Sequence, residues 1–267
     1  MTMSDAFKIP KVIHYCWLSG DPRPQVIIDC MESWKKALPD YEFVCWDMSR
    51  FDVNSVPYVR DAVAARKWAF AADYIRLYAL YTQGGIYLDS DVMVYKPFDA
   101  FLTHSAFTSI EFHPIEFYRD VKKKGLYSDF YLGCGLEAAV MGAEKGHPFF
   151  KACLDYYRTL RFENTPRAFE TQIMPRILVK IAAEKFGFKY CPVFQKLEND
   201  FCIYPPDVFS GSREDSEIRY ALHLGANTWG FEGGKASASQ KVRSFFITFV
   251  KRQFPGLCAR IKGKRVV

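Results

Sequence analysis

The sequence has neither a long apolar run nor closely paired cysteines. No stretch approaches the roughly 18 uninterrupted apolar residues of a transmembrane helix, so no membrane span is predicted. Residues 1–11 have neither the charged start nor the apolar core of a signal peptide. The eight cysteines are scattered without a C-x-x-C pair, a pattern typical of reduced thiols in a cytosol. We therefore expect a cytoplasmic protein.

Acidic residues are absent from residues 235–267, which contain nine Lys and Arg residues. The remainder has 27 basic and 30 acidic residues, so the net charge of +6 belongs to this tail, and a general nucleic-acid-binding surface is not expected. The tail mixes its charges with Phe and Ile, which predicts a basic amphipathic helix lying peripherally on an anionic membrane, such as the inner face of the cell membrane. A helix packed on the main domain is the alternative. We divide the chain into residues 1–234 and 235–267.

Residues 1–234 read as alternating strands and helices. Apolar strand patterns occupy residues 11–17 and 41–46, and a helical apolar stripe lies between them. Further strands are predicted over residues 106–110, 136–141, 189–193, 201–204 and 219–224, and helices over residues 149–157 and 169–186. Residues 112–128 are predicted to be a surface insertion. This alternation predicts an α/β sandwich with a mostly parallel sheet.

The most informative stretch is residues 68–97. Apolar residues recur every three or four positions on both faces of a predicted helix, and Asp73 and Arg76 lie side by side on it. Gly84 and Gly85 end the helix because glycine accepts the left-handed conformation of a C-cap. A short apolar strand over residues 86–88 follows.

Two carboxylates come directly after this strand. If the backbone stays extended, Asp89 and Asp91 point to the same side, with Ser90 opposite. Two neighbouring carboxylates of this kind suit Mg²⁺ or Mn²⁺, which bind carboxylates together with substrate phosphates. The alternative is a solvated turn that happens to contain two aspartates.

Residues 71–91 read A-x-D-x-x-R-x-x-x-L-x-x-x-G-G-x-Y-x-D-x-D. This pattern resembles the signature of the DXD sugar-transferase family, glycosyltransferase family 32, which includes fungal α-1,6-mannosyltransferases, bacterial capsular polysaccharide transferases and the glucosylating domains of clostridial toxins. The resemblance implies a GT-A fold, a nucleotide-diphospho-sugar donor, a divalent metal and retention of anomeric configuration.

The resemblance also implies roles for individual residues of the nucleotide-sugar site. Trp17, at the end of the first strand, would stack on the donor's base; a core tryptophan is the alternative. Asp73 and Arg76 would contact the donor's ribose, sugar or phosphates, next to a matching Tyr87. Asp89 would contact ribose or sugar and lie near the metal, and Asp91 would bind the metal.

A second element lies near the C-terminal end of residues 1–234. The order H-x-x-x-x-T-W, from His223 to Thr228 and Trp229, resembles the family's H-x-x-x-x-S-W. His223 is a candidate metal ligand or a core histidine, while Thr228 and Trp229 could donate hydrogen bonds to the leaving diphosphate. The family's usual asparagine before the strand at residues 136–141 is not evident, and Glu137 is either an acceptor-facing or a surface residue.

These residues predict a metal-dependent, retaining hexosyltransferase that acts in polysaccharide synthesis on a glycan or lipid-linked hydroxyl acceptor. Asp91, Arg76 and Trp229 form the predicted catalytic set, with Mn²⁺ or Mg²⁺ held by Asp91, Asp89 and His223. We name no protein base, because the departing phosphate can take the acceptor's proton. The alternatives are a haloacid-dehalogenase-type phosphatase, although no Asp-Asp pair occurs, and an inactive sugar-binding protein with a transferase fold.

Overall fold

The computed structural model describes residues 7–125, 128, 130–166, 171–210 and 217–226. The chain divides into two units, Met1–Ala226 and Asn227–Val267, and every described residue belongs to the first. Thr228, Trp229 and the basic tail lie outside the described residues. The boundary at residue 234 and the role of the tail therefore stay predictions.

The described helices and strands alternate for most of the chain. The helices are α1 (Gln25–Ala37), α2 (Pro57–Ala64), α3 (Trp68–Gln83), α4 (Pro114–Lys124), α5 (Pro148–Thr159) and α6 (Met174–Lys185). The strands are β1 (Val12–Cys16), β2 (Glu42–Trp46), β3 (Gly85–Leu88), β4 (Val92–Val94), β5 (Ala106–Phe112), β6 (Cys134–Leu136), β7 (Val140–Ala143), β8 (Gln195–Leu197), β9 (Phe201–Tyr204) and β10 (Ala221–His223). Among the described helices, none is long and apolar enough to cross a membrane.

In the described residues, the main sheet has the strand order β2-β1-β3-β7-β5-β9-β8, with β6 paired to β5. Strands β1, β2 and β3 are parallel to one another, and β5 is parallel to β9. Strand β7 is antiparallel to both its neighbours, and β8 is antiparallel to β9. Five of these seven strands therefore run in one direction, which confirms the predicted α/β class and its mostly parallel sheet.

Side-chain alternation along the strands builds two apolar layers. In β3, Ile86 and Leu88 face the layer that contains Trp34 of α1, whereas Tyr87 faces the layer formed with α2, α3, α5 and α6. A strand carries successive side chains on opposite faces, so the residue after Leu88 points towards the α3 layer. The sheet is therefore covered by helices on both faces.

The double glycine between α3 and β3 has a steric reason. The backbone of Gly84 has φ of +73° and its N–H donates to the carbonyl of Leu80, which ends the helix as predicted. Gly85 has φ of +109°, and a Cβ there would lie 2.7 Å from the carbonyl oxygen of Val12. Only glycine allows β3 to start against β1 in this way. The α3–β3 unit is thus fixed by local sequence.

Some sequence-based boundaries are wrong. Residues 136–141 are not one strand, because β6 ends at Leu136 to pair with β5 and β7 begins at Val140 to pair with β3. Residues 189–193 are not a strand; the edge strand is β8, held beside β9. The insertion over residues 112–128 contains helix α4. The helix expected over residues 169–186 begins at Met174 in the described part of that range.

Candidate active site

The candidate site lies at the carboxyl end of β3, next to the buried face of α3. Side-chain alternation places Tyr87 and Asp89 on the side of the sheet that α3 covers. Asp73 and Arg76, one turn apart on α3, are both buried there. The local order helix, double glycine and strand therefore brings these four side chains together.

Arg76 is the centre of the first group of contacts. Its guanidinium lies 3.1 Å from Oδ1 of Asp73 and 3.1 Å from Oδ1 of Asp89, and it donates to the carbonyl of Ala138 at 2.8 Å. It also stacks 4.6 Å above the centre of the Tyr87 ring, whose hydroxyl donates to Asp89 at 3.0 Å. The Nε–H of Arg76 points to the carbonyl of Ala72. Four of the five N–H donors of the guanidinium thus have partners within the protein, and at most one is left for a substrate. We call this group the arginine cluster.

Asp91 belongs to a different set of contacts. The segment after β3 is a turn, in which the N–H of Val92 donates to the carbonyl of Asp89, so the expected extended backbone is wrong. The carboxylate of Asp91 accepts the N–H of Ala226 at 2.8 Å and lies 3.3 Å from Nε2 of His223. The two aspartates are thus near each other but have separate partners.

His223 reaches Asp91 through a small second sheet. Strand β10 pairs antiparallel with β4, and this register places His223 opposite Val92, the residue that follows Asp91. The N–H of Leu224 donates to the backbone carbonyl of Asp91, which extends this pairing by one hydrogen bond. His223 therefore lies beside Asp91, as the ligand interpretation requires.

Glu137 is a residue of this group that sequence reasoning did not assign. It lies in the break between β6 and β7 and is only 5% exposed, so of the two alternatives for this residue the surface position is wrong. Its carboxylate accepts the N–H of Ala139 at 2.9 Å and lies 3.8 Å from Nδ1 of His223. The missed signal was an acid inside an otherwise apolar segment, LEAAVM. We call Asp91, His223 and Glu137 the histidine cluster.

Burial and mutual repulsion shift the pKa values of these groups. Burial raises the pKa of Asp73 to about 7 in spite of Arg76, and raises the pKa of Glu137 to about 7. Burial opposes the charged form of His223, but its hydrogen bond to Asp91 and the neighbouring carboxylates raise its pKa to about 9. Burial likewise opposes the charge of Asp91, whose pKa is nevertheless lowered by His223 and the N–H of Ala226. The site favours a positive charge between Asp91 and Glu137.

A divalent cation fits beside Asp91 and His223 of the histidine cluster. One ligand atom each from Asp89, Asp91 and His223 lie within 4.8 Å of one another, and carboxylate oxygens with one imidazole suit Mn²⁺ or Mg²⁺. Asp89 differs from Asp91 because Arg76 and Tyr87 already bind its carboxylate. Asp91 and His223 are therefore better placed than Asp89 to coordinate a cation.

A second group of side chains that could bind a metal is less suitable, because two lysines already bind its carboxylate. His104, Asp200 and Cys202 lie close together, but the Asp200 carboxylate is bound by Lys8 at 3.0 Å and by Lys196 at 2.8 Å. Two ammonium groups neutralise this aspartate and repel a cation. The histidine cluster is accordingly the better candidate metal centre.

The remaining predicted residues divide into described and undescribed ones. Trp17 follows β1, is mostly buried, and donates its indole N–H to the carbonyl of Asp21, while Arg23 lies 5.6 Å from its ring centre. Cys16, the preceding residue, lies near Arg76 and Tyr87. Its stacking on a base stays a prediction, as do the roles of Thr228 and Trp229.

Comparison with known proteins identifies this region. Residues 24–108 match the family model described as "Glycosyltransferase sugar-binding region containing DXD motif". The chain is 30% identical over 145 residues to inositol phosphoceramide mannosyltransferase 3 of Schizosaccharomyces pombe, a match covering 53% of this chain and 35% of that protein. It is 28% identical over 118 residues to subversion of eukaryotic traffic protein A of Legionella pneumophila, covering 34% and 18%, respectively.

The match therefore spans about a third or less of the length of these curated relatives. Among solved structures, the PaToxG glycosyltransferase resembles the chain with a TM-score of 0.47 and 18% identity, over 66% of this chain and 70% of that one. The family match and the position of the D-x-D segment at the carboxyl end of a central parallel strand agree with the predicted GT-A type. Residues 24–108 therefore match a glycosyltransferase sugar-binding region that contains a DXD motif.

Proposed function

We propose that the protein is a metal-dependent, retaining hexosyltransferase that uses a nucleotide-diphospho-sugar donor and a hydroxyl acceptor. The observation that carries this proposal is the charge of the site. Four buried or half-buried carboxylates, those of Asp73, Asp89, Asp91 and Glu137, surround one permanent cation, Arg76, and one titratable cation, His223. Protonation of Asp73 and Glu137, whose pKa values are about 7, relieves part of this negative charge, and a divalent cation that also binds the donor diphosphate would neutralise the remainder.

Each cluster supplies a different part of the reaction. When bound at Asp91 and His223, a divalent cation would neutralise the charge that develops on the leaving diphosphate. The arginine cluster holds Asp73 and Asp89 in fixed orientations, and carboxylates so fixed can accept hydrogen bonds from sugar or ribose hydroxyls. Thr228 and Trp229 are proposed as additional donors to the diphosphate.

The proposed donor sugar is a hexose, with mannose as the first candidate. Support comes from the curated relatives of Schizosaccharomyces pombe, two of which bear the name inositol phosphoceramide mannosyltransferase. The acceptor is proposed to be a glycan or a lipid-linked hydroxyl, and polysaccharide synthesis the setting. The departing phosphate, on the same face as the incoming hydroxyl, would take the acceptor's proton, so no protein base is assigned.

Hydrolysis and transfer assays with a panel of donors test this proposal. UDP-, GDP- and dTDP-hexoses are incubated with the full chain, with and without Mn²⁺, and nucleoside diphosphate release is measured. We expect release from one donor class, dependent on Mn²⁺ and lost in Asp91→Asn. Absence of release and of donor binding across the panel would contradict the proposal and favour an inactive sugar-binding protein, whereas release of inorganic phosphate from phosphomonoesters would favour the phosphatase.

A further inference from the structure

Helix α4 presents a basic and apolar face to solvent. Ile115, Tyr118, Arg119 and Lys122 follow the spacing i, i+3, i+4 and i+7, so they form one stripe, and Lys123 adjoins it. All five side chains are exposed, and Ile115 and Tyr118 are exposed by 70% and 59%. We call this stripe the α4 face.

The opposite side of the helix already has its partners. Phe117 and Asp120 are buried, and Asp120 binds Lys124 at 2.8 Å and the N–H of Leu132 at 2.8 Å. The buried side therefore fixes the helix on the protein, while the α4 face is exposed to solvent, with Tyr118 packed edge-on against Phe112 and Phe117. Glu116, at the edge of the face, is the one exposed acid of this helix.

The α4 face is near the candidate site. Strand β5, which leads into α4, runs parallel to β9 and in the same direction as β3, so α4 begins at the sheet edge where the D-x-D segment lies. The first turn of α4 packs on Gly133, where a Cβ would lie 2.7 Å from the N–H nitrogen of Phe117. Glu137 of the histidine cluster is four residues further along, and its N–H donates to Ser109 of β5.

We propose that the α4 face docks on an anionic lipid bilayer. A large aliphatic side chain and a tyrosine, exposed between three cationic side chains, match the two components of such a surface, its acyl region and its charged headgroups. A soluble polyanion would match the charges but leaves the exposure of Ile115 without a partner. Bilayer docking here would bring the edge of the sheet that carries the candidate site next to lipid-linked molecules.

Vesicle binding by the full chain, including the tail, tests the proposal. Sedimentation with vesicles of phosphatidylcholine and 30% phosphatidylserine (about a third anionic lipid) is compared for wild type, Lys122→Glu/Lys123→Glu and Ile115→Ser. Each basic residue near an anionic surface contributes about fivefold to partitioning, so the double reversal should weaken binding at least about 25-fold. Ile115→Ser should weaken it several-fold and Ile115→Leu should retain it, because leucine keeps the apolar area.

Matched controls come from α1. Lys35 and Lys36 are exposed basic residues at the end of that helix and Ile28 is an exposed isoleucine on it, so Lys35→Glu/Lys36→Glu and Ile28→Ser make the same chemical changes elsewhere. We expect both controls to bind like wild type, and thermal melting to show that all variants are folded.

Three outcomes would overturn the proposal. Unchanged binding in the α4 variants would assign the membrane contact to another part of the chain, such as residues 235–267. Equal loss in the α1 controls would indicate a general charge effect. Loss on charge reversal without any effect of Ile115→Ser would indicate that the face attracts anions by charge alone, which would contradict docking through the apolar side chain. Donor hydrolysis without vesicles is measured in parallel, so a failure of the proposed transferase activity is distinguishable from a failure of docking.

Discussion

Asp89 and Asp91 are two residues apart, yet their electrostatic surroundings differ. Asp89 is held by Arg76, whose charge is permanent, and by the hydroxyl of Tyr87. Asp91 is held by His223, whose charge can be lost to solution or replaced by a metal ion, and by one backbone N–H. The arginine cluster is thus held together by a permanent charge, whereas we propose that the histidine cluster can exchange its cation.

The two clusters also differ in how the chain builds them. Arg76 and Asp89 are 13 residues apart in one helix–strand unit. The partners of Asp91 come from a segment 132 or more residues away, attached through the three-residue ladder of β4 and β10. The arginine cluster is therefore set by local sequence, and the histidine cluster only by the completed fold.

The largest expected effect is that of Asp91→Asn. Amide oxygen is a weaker metal ligand than carboxylate, and the change removes one charge from the histidine cluster, so Mn²⁺-dependent donor turnover should fall by about a thousandfold or more. Steady-state kinetics with Mn²⁺ measures the effect. The control is Asp155→Asn, which removes an exposed carboxylate bound to Lys151 and Arg158 on α5 and should leave turnover unchanged. Undiminished turnover in Asp91→Asn would contradict the metal assignment.

Arg76→Lys should have the next largest effect. Lysine keeps the charge but cannot contact Asp73, Asp89 and the carbonyl of Ala138 together, so we expect destabilisation of about 2–4 kcal/mol and roughly a hundredfold lower kcat/KM. Urea unfolding and kinetics provide the two measurements. Arg158→Lys, at an exposed ion pair, is the control and should change neither. Wild-type behaviour in Arg76→Lys would show that charge alone suffices.

Glu137→Gln tests whether this residue belongs to the cation site. Removing a carboxylate 3.8 Å from His223, without removing a direct partner of Asp91, should weaken Mn²⁺ binding by up to about tenfold. Titration calorimetry with Mn²⁺ measures it, with the exposed Glu163→Gln as control. An unchanged affinity would restrict the cluster to Asp91 and His223.

The smallest effect is on the pH dependence of metal-free stability. The pKa of His223 rises from 6.5 to about 9 on folding, so its stabilising contribution is complete below about pH 6.5 and is lost as pH rises through about 9. The melting temperature of wild type, relative to His223→Gln, should therefore fall between these pH values in the presence of a chelator. A constant difference would show that His223 is not protonated beside Asp91.

Local sequence predicted the arginine cluster well. The helical spacing over residues 68–83, the C-cap at Gly84 and the strand before Asp89 are all confirmed, because each depends on neighbours within a few residues. The turn after Asp89 was not predicted, because the alternation of the strand was assumed to continue to Asp91. The i, i+3 spacing predicted that Asp73 and Arg76 lie side by side, whereas the ion pair of Arg76 with Asp89 was not predicted.

Long-range pairing explains what the sequence did not show. Residues 136–141 have the composition of one strand, but pairing with two different partners, β5 and β3, divides them and buries Glu137 at the break. The edge strand β8 contains Gln and Lys and so lacks an apolar pattern. The more apolar residues 189–193 before it are described but are not paired with another strand. Neither the position of Glu137 nor its approach to His223 could be found without the sheet order.

The most direct test of the difference between the two aspartates is Mn²⁺ affinity, measured by titration calorimetry on wild type, Asp91→Asn and Asp89→Asn. If Asp91 is the exchangeable cation position and Asp89 belongs to the fixed arginine cluster, Asp91→Asn should weaken Mn²⁺ binding by about 30-fold or more, and Asp89→Asn by far less. Equal losses in both variants, or a larger loss in Asp89→Asn, would contradict the assignment.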